Sequence, residues 1–218
     1  MAESDLHRDW MICIIERLQR FFAGQWVYVS GNLLIYYFQG NPKRCVAPDA
    51  FVVKDCDPKF RTVFKTWEEA RLPNFVLETT SATTQENDLD TKMELYTRFQ
   101  VAEYFLYDPR GDWLSPALIG YQLLDGEYEP ITPDAKGNLP SAELGVTFGL
   151  EQGRLEMWET RSGKRLTSGR EEALKLQVEQ TVLIKENLKL AEKLTEEAKA
   201  RQVLEEELRR LRAERGKA

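Results

Sequence analysis

Histidine is nearly absent from this chain: His7 is the only one among 218 residues. A Ser-His-Asp or Cys-His hydrolase would have to be built on it, and no nucleophile-elbow or active-cysteine signature accompanies it. A metal site rich in histidine is excluded, and His7 itself reads as a surface or helix-start residue. Cysteine is scarce as well. Cys13, Cys45 and Cys56 are odd in number and show no CxxC spacing, which suits reduced thiols in the cytosol better than disulfides or a zinc site. No apolar run approaches the roughly 18 residues that span a membrane. The opening MAESDLHRDW has an acidic start and no apolar h-region, so it does not read as a secretory signal, and a cytoplasmic location is expected. A basic excess is missing too: 30 Lys and Arg against 36 Asp and Glu leave a net charge of −6. That weighs against gripping nucleic acid through a broad basic surface. Hydrolytic chemistry in such a chain must rest on carboxylates, lysine and a hard cation such as Mg²⁺, which prefers oxygen ligands.

The elements that are present read as mixed. Trp10, Ile14, Leu18 and Phe21 recur at helical spacing in a first helix that Ser4 or Asp5 can cap and Gly24 stops. QWVYVS and LLIYYF flank Gly31-Asn32 and predict a β-hairpin. A strand follows Pro48 in DAFVV, a short helix is expected at TWEEA, and NFVLETT reads as a buried strand. Asp88 to Phe99 predicts a helix, and EYFLYDP a strand ended by Asp108-Pro109. Asp125-Gly126 and Gln152-Gly153 mark two further hairpins. The fold class is α+β, with one helix before a meander and one crossing between strands.

Composition changes near Ser168, dividing the chain into a globular part over residues 1–167 and a charged helix over 168–218. There Ala, Glu, Lys, Leu and Arg dominate and proline is gone. Leu176, Leu183, Leu190, Leu204 and Leu211 fall on heptad position d, broken only by Glu197, with Asn187 at an a position. That is the pattern of a parallel two-stranded coiled coil, through which a homodimer would form. The other reading is a single solvated helix.

Chemistry concentrates in one stretch, VLETTSATTQENDLDTKMELY. Period-two alternation sends Val76, Glu78 and Thr80 to one face of a strand and Phe75, Leu77 and Thr79 to the other. Glu78 therefore enters an apolar layer, where a carboxylate is costly unless something positive meets it. Asp49 opens the strand after Pro48. If the two strands are neighbours, the carboxylates meet across the sheet and repel, and a divalent cation between them removes the conflict. Such a cation also activates water and stabilises the anionic transition state of a phosphodiester. Asp88, Lys92 and Tyr96 share one face of the next helix. Lys92 returning over the strand end could orient water or neutralise a scissile phosphate. The hydroxyls of TTSATT would form the turn and cap that helix. Lys43, Arg44, Arg61, Lys65 and Arg98 are candidates for a phosphate-contacting rim, although scattered solubility charges explain them equally well.

These residues resemble the PD-(D/E)XK nuclease superfamily and, within it, the Uma-two family of bacterial restriction-endonuclease-like proteins. The carrying motifs, in order, are Pro48-Asp49, VLETTSATT from Val76, Asp88 with Lys92 and Tyr96, and VAEYFLYDP from Val101. The similarity runs from about Asp5 to Thr160. It implies a restriction-endonuclease-like mixed β-sheet core, αβββαβ, flanked by helices and followed by a long C-terminal helix. It also implies metal ligation by Asp49, Glu78 and the Thr79 backbone carbonyl. The superfamily lysine would stand two residues after the glutamate, where this chain has Thr80; Lys92 is then its counterpart. Threonine also follows Glu78 where the family more often has an apolar residue. By the same resemblance Glu16 on the first helix is a candidate assistant, beside Asp88 and Tyr96.

Two functions follow. The first is a Mg²⁺-dependent DNA endonuclease using Asp49, Glu78 and Lys92, with Mn²⁺ as a possible substitute ion. The alternative is a catalytically silent nuclease-fold binding or assembly module, dimerised by its C-terminal helix. An active site requires the three residues together in a cleft; a silent module has them apart or paired to other side chains.

Overall fold

Ser4 accepts the His7 amide at 3.2 Å and opens helix α1 (Asp5–Phe21) in the computed structural model, which describes residues 4–81 and 88–215. His7, Met11, Ile14 and Leu18 form the buried face of α1, a spacing of four, three and four that keeps one stripe against the sheet. Strands β1 (Val27–Ser30), β2 (Ile35–Tyr36), β3 (Cys45–Val46), β4 (Ala50–Lys54) and β5 (Phe64–Lys65) follow. Next come α2 (Thr66–Glu69) and β6 (Phe75–Thr79). Helix α3 begins as a π-helical turn (Asp88–Lys92) and continues as an α-helix (Met93–Arg98). Strands β7 (Glu103–Tyr107), β8 (Leu118–Leu124), β9 (Glu127–Pro130), β10 (Leu139–Ser141), β11 (Val146–Glu151) and β12 (Arg154–Glu159) precede the last helix, α4 (Gly169–Arg215).

Six strands form the main sheet in the order β1-β4-β6-β7-β8-β9. Only β6 and β7 run parallel, joined by the crossover that carries α3; the other neighbours are antiparallel. In chain order the main sheet and its helices read α1, β1, β4, β6, α3, β7, an αβββαβ core. Strands β2, β3 and β5 are set into that order as a small separate sheet, and β10, β11 and β12 form another.

Alternation divides the core into two layers. Phe75, Leu77, Phe105 and Tyr107 face α1, through Ile14 and Leu18, and the third sheet, through Phe148, Leu155 and Met157. Val76, Tyr104, Leu106, Phe51 and Val53 face the other way, toward Tyr96 of α3 and Phe64 of the small sheet. At ~25 cal/mol per Å² of apolar surface, these two layers are the main source of stability. Asp125-Gly126 and Gln152-Gly153 turn the β8–β9 and β11–β12 hairpins, each with both residues at positive φ, the geometry that matches strand twist.

The hairpin expected at Gly31-Asn32 does not form. β1 pairs with β4, while β2 leaves for the small sheet. Asn32 instead donates its amide to Pro48 O at 2.7 Å, and a Cβ on Gly31 would lie 1.9 Å from Asp49 O. Gly31 is thus needed for close approach to the neighbouring strand's entry, not for a hairpin turn.

The chain divides into two compact units, Met1–Gly169 and Arg170–Ala218. In the second, Leu176, Leu183, Leu190 and Leu204 are each more than half exposed. No described helix is long and apolar enough to cross a membrane.

Candidate active site

Antiparallel register aligns Ala50 with Leu77 and Phe51 with Val76, so the next step brings Asp49 opposite Glu78 at the sheet's end. The backbone locks this arrangement reciprocally. The Asp49 amide donates to Glu78 Oε2 at 3.2 Å, and the Thr79 amide donates to Asp49 Oδ2 at 2.6 Å. Glu78 is 1% exposed and Asp49 7%.

Helix α3 supplies the rest. Lys92 Nζ lies 3.0 Å from Glu78 Oε2 and 2.9 Å from Asp88 Oδ1, and the Tyr96 hydroxyl donates to Glu78 Oε1 at 2.7 Å. Behind them the Tyr104 hydroxyl of β7 donates to Asp88 O at 2.9 Å and ties the start of α3 to the sheet. The spacing of Asp88, Lys92 and Tyr96 is therefore realised as one face aimed at Glu78. Thr80 Oγ1 is buried at the strand end, and Lys92 reaches the carboxylate that Thr80 is too short to serve. The capping expected of TTSATT falls partly on residues 82–87, outside the described residues.

Electrostatics sharpens the picture. Burial pushes the Glu78 carboxyl up to about 7; Lys92 opposes the rise, while Asp49 and Asp88 add to it. Burial alone would lower the Lys92 ammonium, but Glu78 and Asp88 outweigh it and hold the group charged, above the ordinary lysine range. Burial and the adjacent Glu78 likewise keep Tyr96 protonated. Glu78 and Asp88 thus share the Lys92 ammonium, while Asp49 adds a third carboxyl group beside Glu78.

That donor chemistry fits a hard divalent cation. Two carboxylates and a backbone carbonyl are the kind of set that binds Mg²⁺, with water filling the other positions. Among the described residues no three His, Cys, Asp or Glu side chains already stand around one cation position, so a bound ion would have to draw its ligands together, starting from Asp49, Glu78 and the Thr79 carbonyl.

The contacts of Asp49, Glu78 and Lys92 run to His7, Thr79, Asp88, Tyr96 and one another, and Glu16 is not among them. Two expectations are corrected. His7, read from sequence as a surface or helix-start residue, is instead buried, with Nε2 3.0 Å from Asp49 Oδ1. The signal that could have found it was its place on the same helical stripe as Met11, Ile14 and Leu18. Among the rim candidates, Arg61 is withdrawn from phosphate contact. Its side chain is buried, paired through two nitrogens with Glu69 at 2.7 and 2.8 Å, and stacked 4.3 Å over the Tyr28 ring. Lys65 pairs with Glu68 and Arg98 with Glu94 at exposed positions, and Lys43 and Arg44 are exposed.

Residues 2–157 match the Uma2 family, described as "Putative restriction endonuclease". None of the curated proteins matches the chain significantly. Among solved structures, one similar chain is the crystal structure of "a putative nuclease belonging to DUF820" from Anabaena variabilis ATCC 29413. It superposes with a TM-score of 0.48 at 13% identity, covering 66% of this chain and 76% of that one.

Proposed function

The chain belongs to the Uma2 family, and from that premise we propose that it is a metal-dependent DNA endonuclease whose residues 1–167 carry the nuclease domain. The observation that carries the reading is the convergence of Asp49, Glu78 and Lys92 at one sheet end, with Lys92 3.0 Å from Glu78. Asp49, Glu78 and the Thr79 carbonyl would hold Mg²⁺, or Mn²⁺ in its place. Such an ion, when bound, supplies an activated water and charge stabilisation for a phosphodiester transition state. Asp88 aims Lys92 from one helical turn away, and Tyr96 fixes Glu78 Oε1. A charged lysine beside the glutamate can then neutralise phosphate or orient water. The cluster's burial keeps bulk solvent from screening these charges.

A second reading, a catalytically silent binding or assembly module, draws on the double pairing of Lys92 with Glu78 and Asp88. In both readings α4, over the charged segment 168–218, is the self-association element. The odd number of cysteines, Cys13, Cys45 and Cys56, and their spacing support a reducing compartment, the cytoplasm.

The deciding experiment is divalent-dependent cleavage of plasmid and single-stranded DNA by the purified chain, beside Glu78→Ala and Lys92→Ala. Cutting by wild type alone supports the nuclease. An inert wild type that binds neither Mg²⁺ nor Mn²⁺ sinks it in favour of the silent module.

A further inference from the structure

One buried group beside the carboxylates has no part in the reading above. His7 sits in the first turn of α1, 7% exposed, with its backbone held by the Ser4 cap. Its Nε2 is 3.0 Å from Asp49 Oδ1, while Asp49 Oδ2 accepts the Thr79 amide. The oxygen of Asp49 turned away from β6 is thus the one facing the imidazole. The 3.0 Å between this nitrogen and oxygen is an ion-pair distance, and it also lets both atoms reach one ion, because adjacent ligands of an octahedral ion at ~2.1 Å stand ~3.0 Å apart. We propose that His7 is a nitrogen ligand of the cation held by Asp49, and that it biases the site toward Mn²⁺ over Mg²⁺. Imidazole suits transition metals, whereas Mg²⁺ favours oxygen and gains little from the exchange. The inference rests on the metal-site reading above and adds to it a fourth ligand and a metal preference.

Composition makes the test unusually clean. His7 is the only histidine, so in untagged protein any imidazole nitrogen bound to the metal must be its own. The full chain is stripped with a chelator and titrated with Mn²⁺, free ion being followed by electron paramagnetic resonance and Mg²⁺ affinity measured by competition. Pulsed resonance on the Mn²⁺-loaded protein should reveal a directly coordinated imidazole ¹⁴N. In His7→Gln the preference for Mn²⁺ over Mg²⁺ should fall ~10-fold, the lower end of the effect of losing a group that tunes a metal site. Equal losses for both ions, or none, would mean that His7 only packs or braces α1 and would overturn the proposal. Should the variant not fold, the wild-type spectrum decides alone: Mn²⁺ bound without an imidazole nitrogen overturns it. If wild type binds no Mn²⁺ in a Glu78-dependent way, the metal-site reading itself has failed; bound Mn²⁺ lacking only the nitrogen signal sinks the His7 ligand and leaves that reading standing.

Discussion

Lys92 Nζ stands 3.0 Å from Glu78 Oε2, a helix ammonium closing over a carboxylate at the end of a buried strand. The pair allows metal binding and turnover to be separated. Lys92→Met removes the cation's competitor for Glu78 but not the ligands. It should keep or tighten Mn²⁺ binding while cleavage falls by ~10²–10³-fold, as when one charge-stabilising donor is lost. Glu78→Gln should lose both. Mn²⁺ titration and plasmid nicking on the same preparations check this, and loss of binding in Lys92→Met would contradict the assignment.

Stability should depend on pH through Glu78. Its carboxyl is raised from the ordinary 4.5 to about 7 in the fold, so the folded state holds the proton more tightly than the unfolded chain. The stabilisation is fully present below about pH 4.5 and is lost as pH rises through about 7. Over that window Lys92 is protonated in both states and adds no slope. Chelator-treated protein should therefore lose on the order of 2 kcal/mol between pH 5 and pH 8. Urea unfolding at the two pH values tests it: Glu78→Gln should show a smaller loss, and an unchanged loss would assign the slope to other groups.

Gly31 is expected to matter for the site although it bears no functional group. A Cβ there would lie 1.9 Å from Asp49 O and 2.5 Å from Ile15 Cδ1. Backbone cannot yield as a side chain does, so Gly31→Ala should cost ~1–3 kcal/mol and displace Asp49. Thermal unfolding should fall and Mn²⁺ affinity with it; full affinity in a destabilised variant would show that Asp49 holds its place by other contacts.

The assembly role of α4 is tested by a chain ending at Ser168. Light scattering should report a dimer for the full chain and a monomer for the shortened one. Equal protomer counts in both would remove α4 as the interface.

Local chemistry made much of this protein legible. Asp125-Gly126 and Gln152-Gly153 mark their hairpins because each puts a glycine, which takes positive φ without steric cost, at the second turn position. Asp88, Lys92 and Tyr96 share a face because helical periodicity demands it. Glu78 announced itself as a carboxylate inside an apolar alternation. Gly31-Asn32 carried the same kind of turn signal, yet there the backbone of Pro48 and Asp49 claimed the segment. A long-range contact overrode a local preference.

By itself, then, the sequence determined the α+β class, the strand bearing Glu78, the helix face bearing Lys92 and the family to which they belong. The tertiary structure alone decided that β1 pairs with β4, that Arg61 is buried against Glu69 and that His7 meets Asp49. The physical reason is common to these three. Periodicity fixes where a side chain stands on its own element, but its partner is set by how separate elements pack, and no local pattern encodes that.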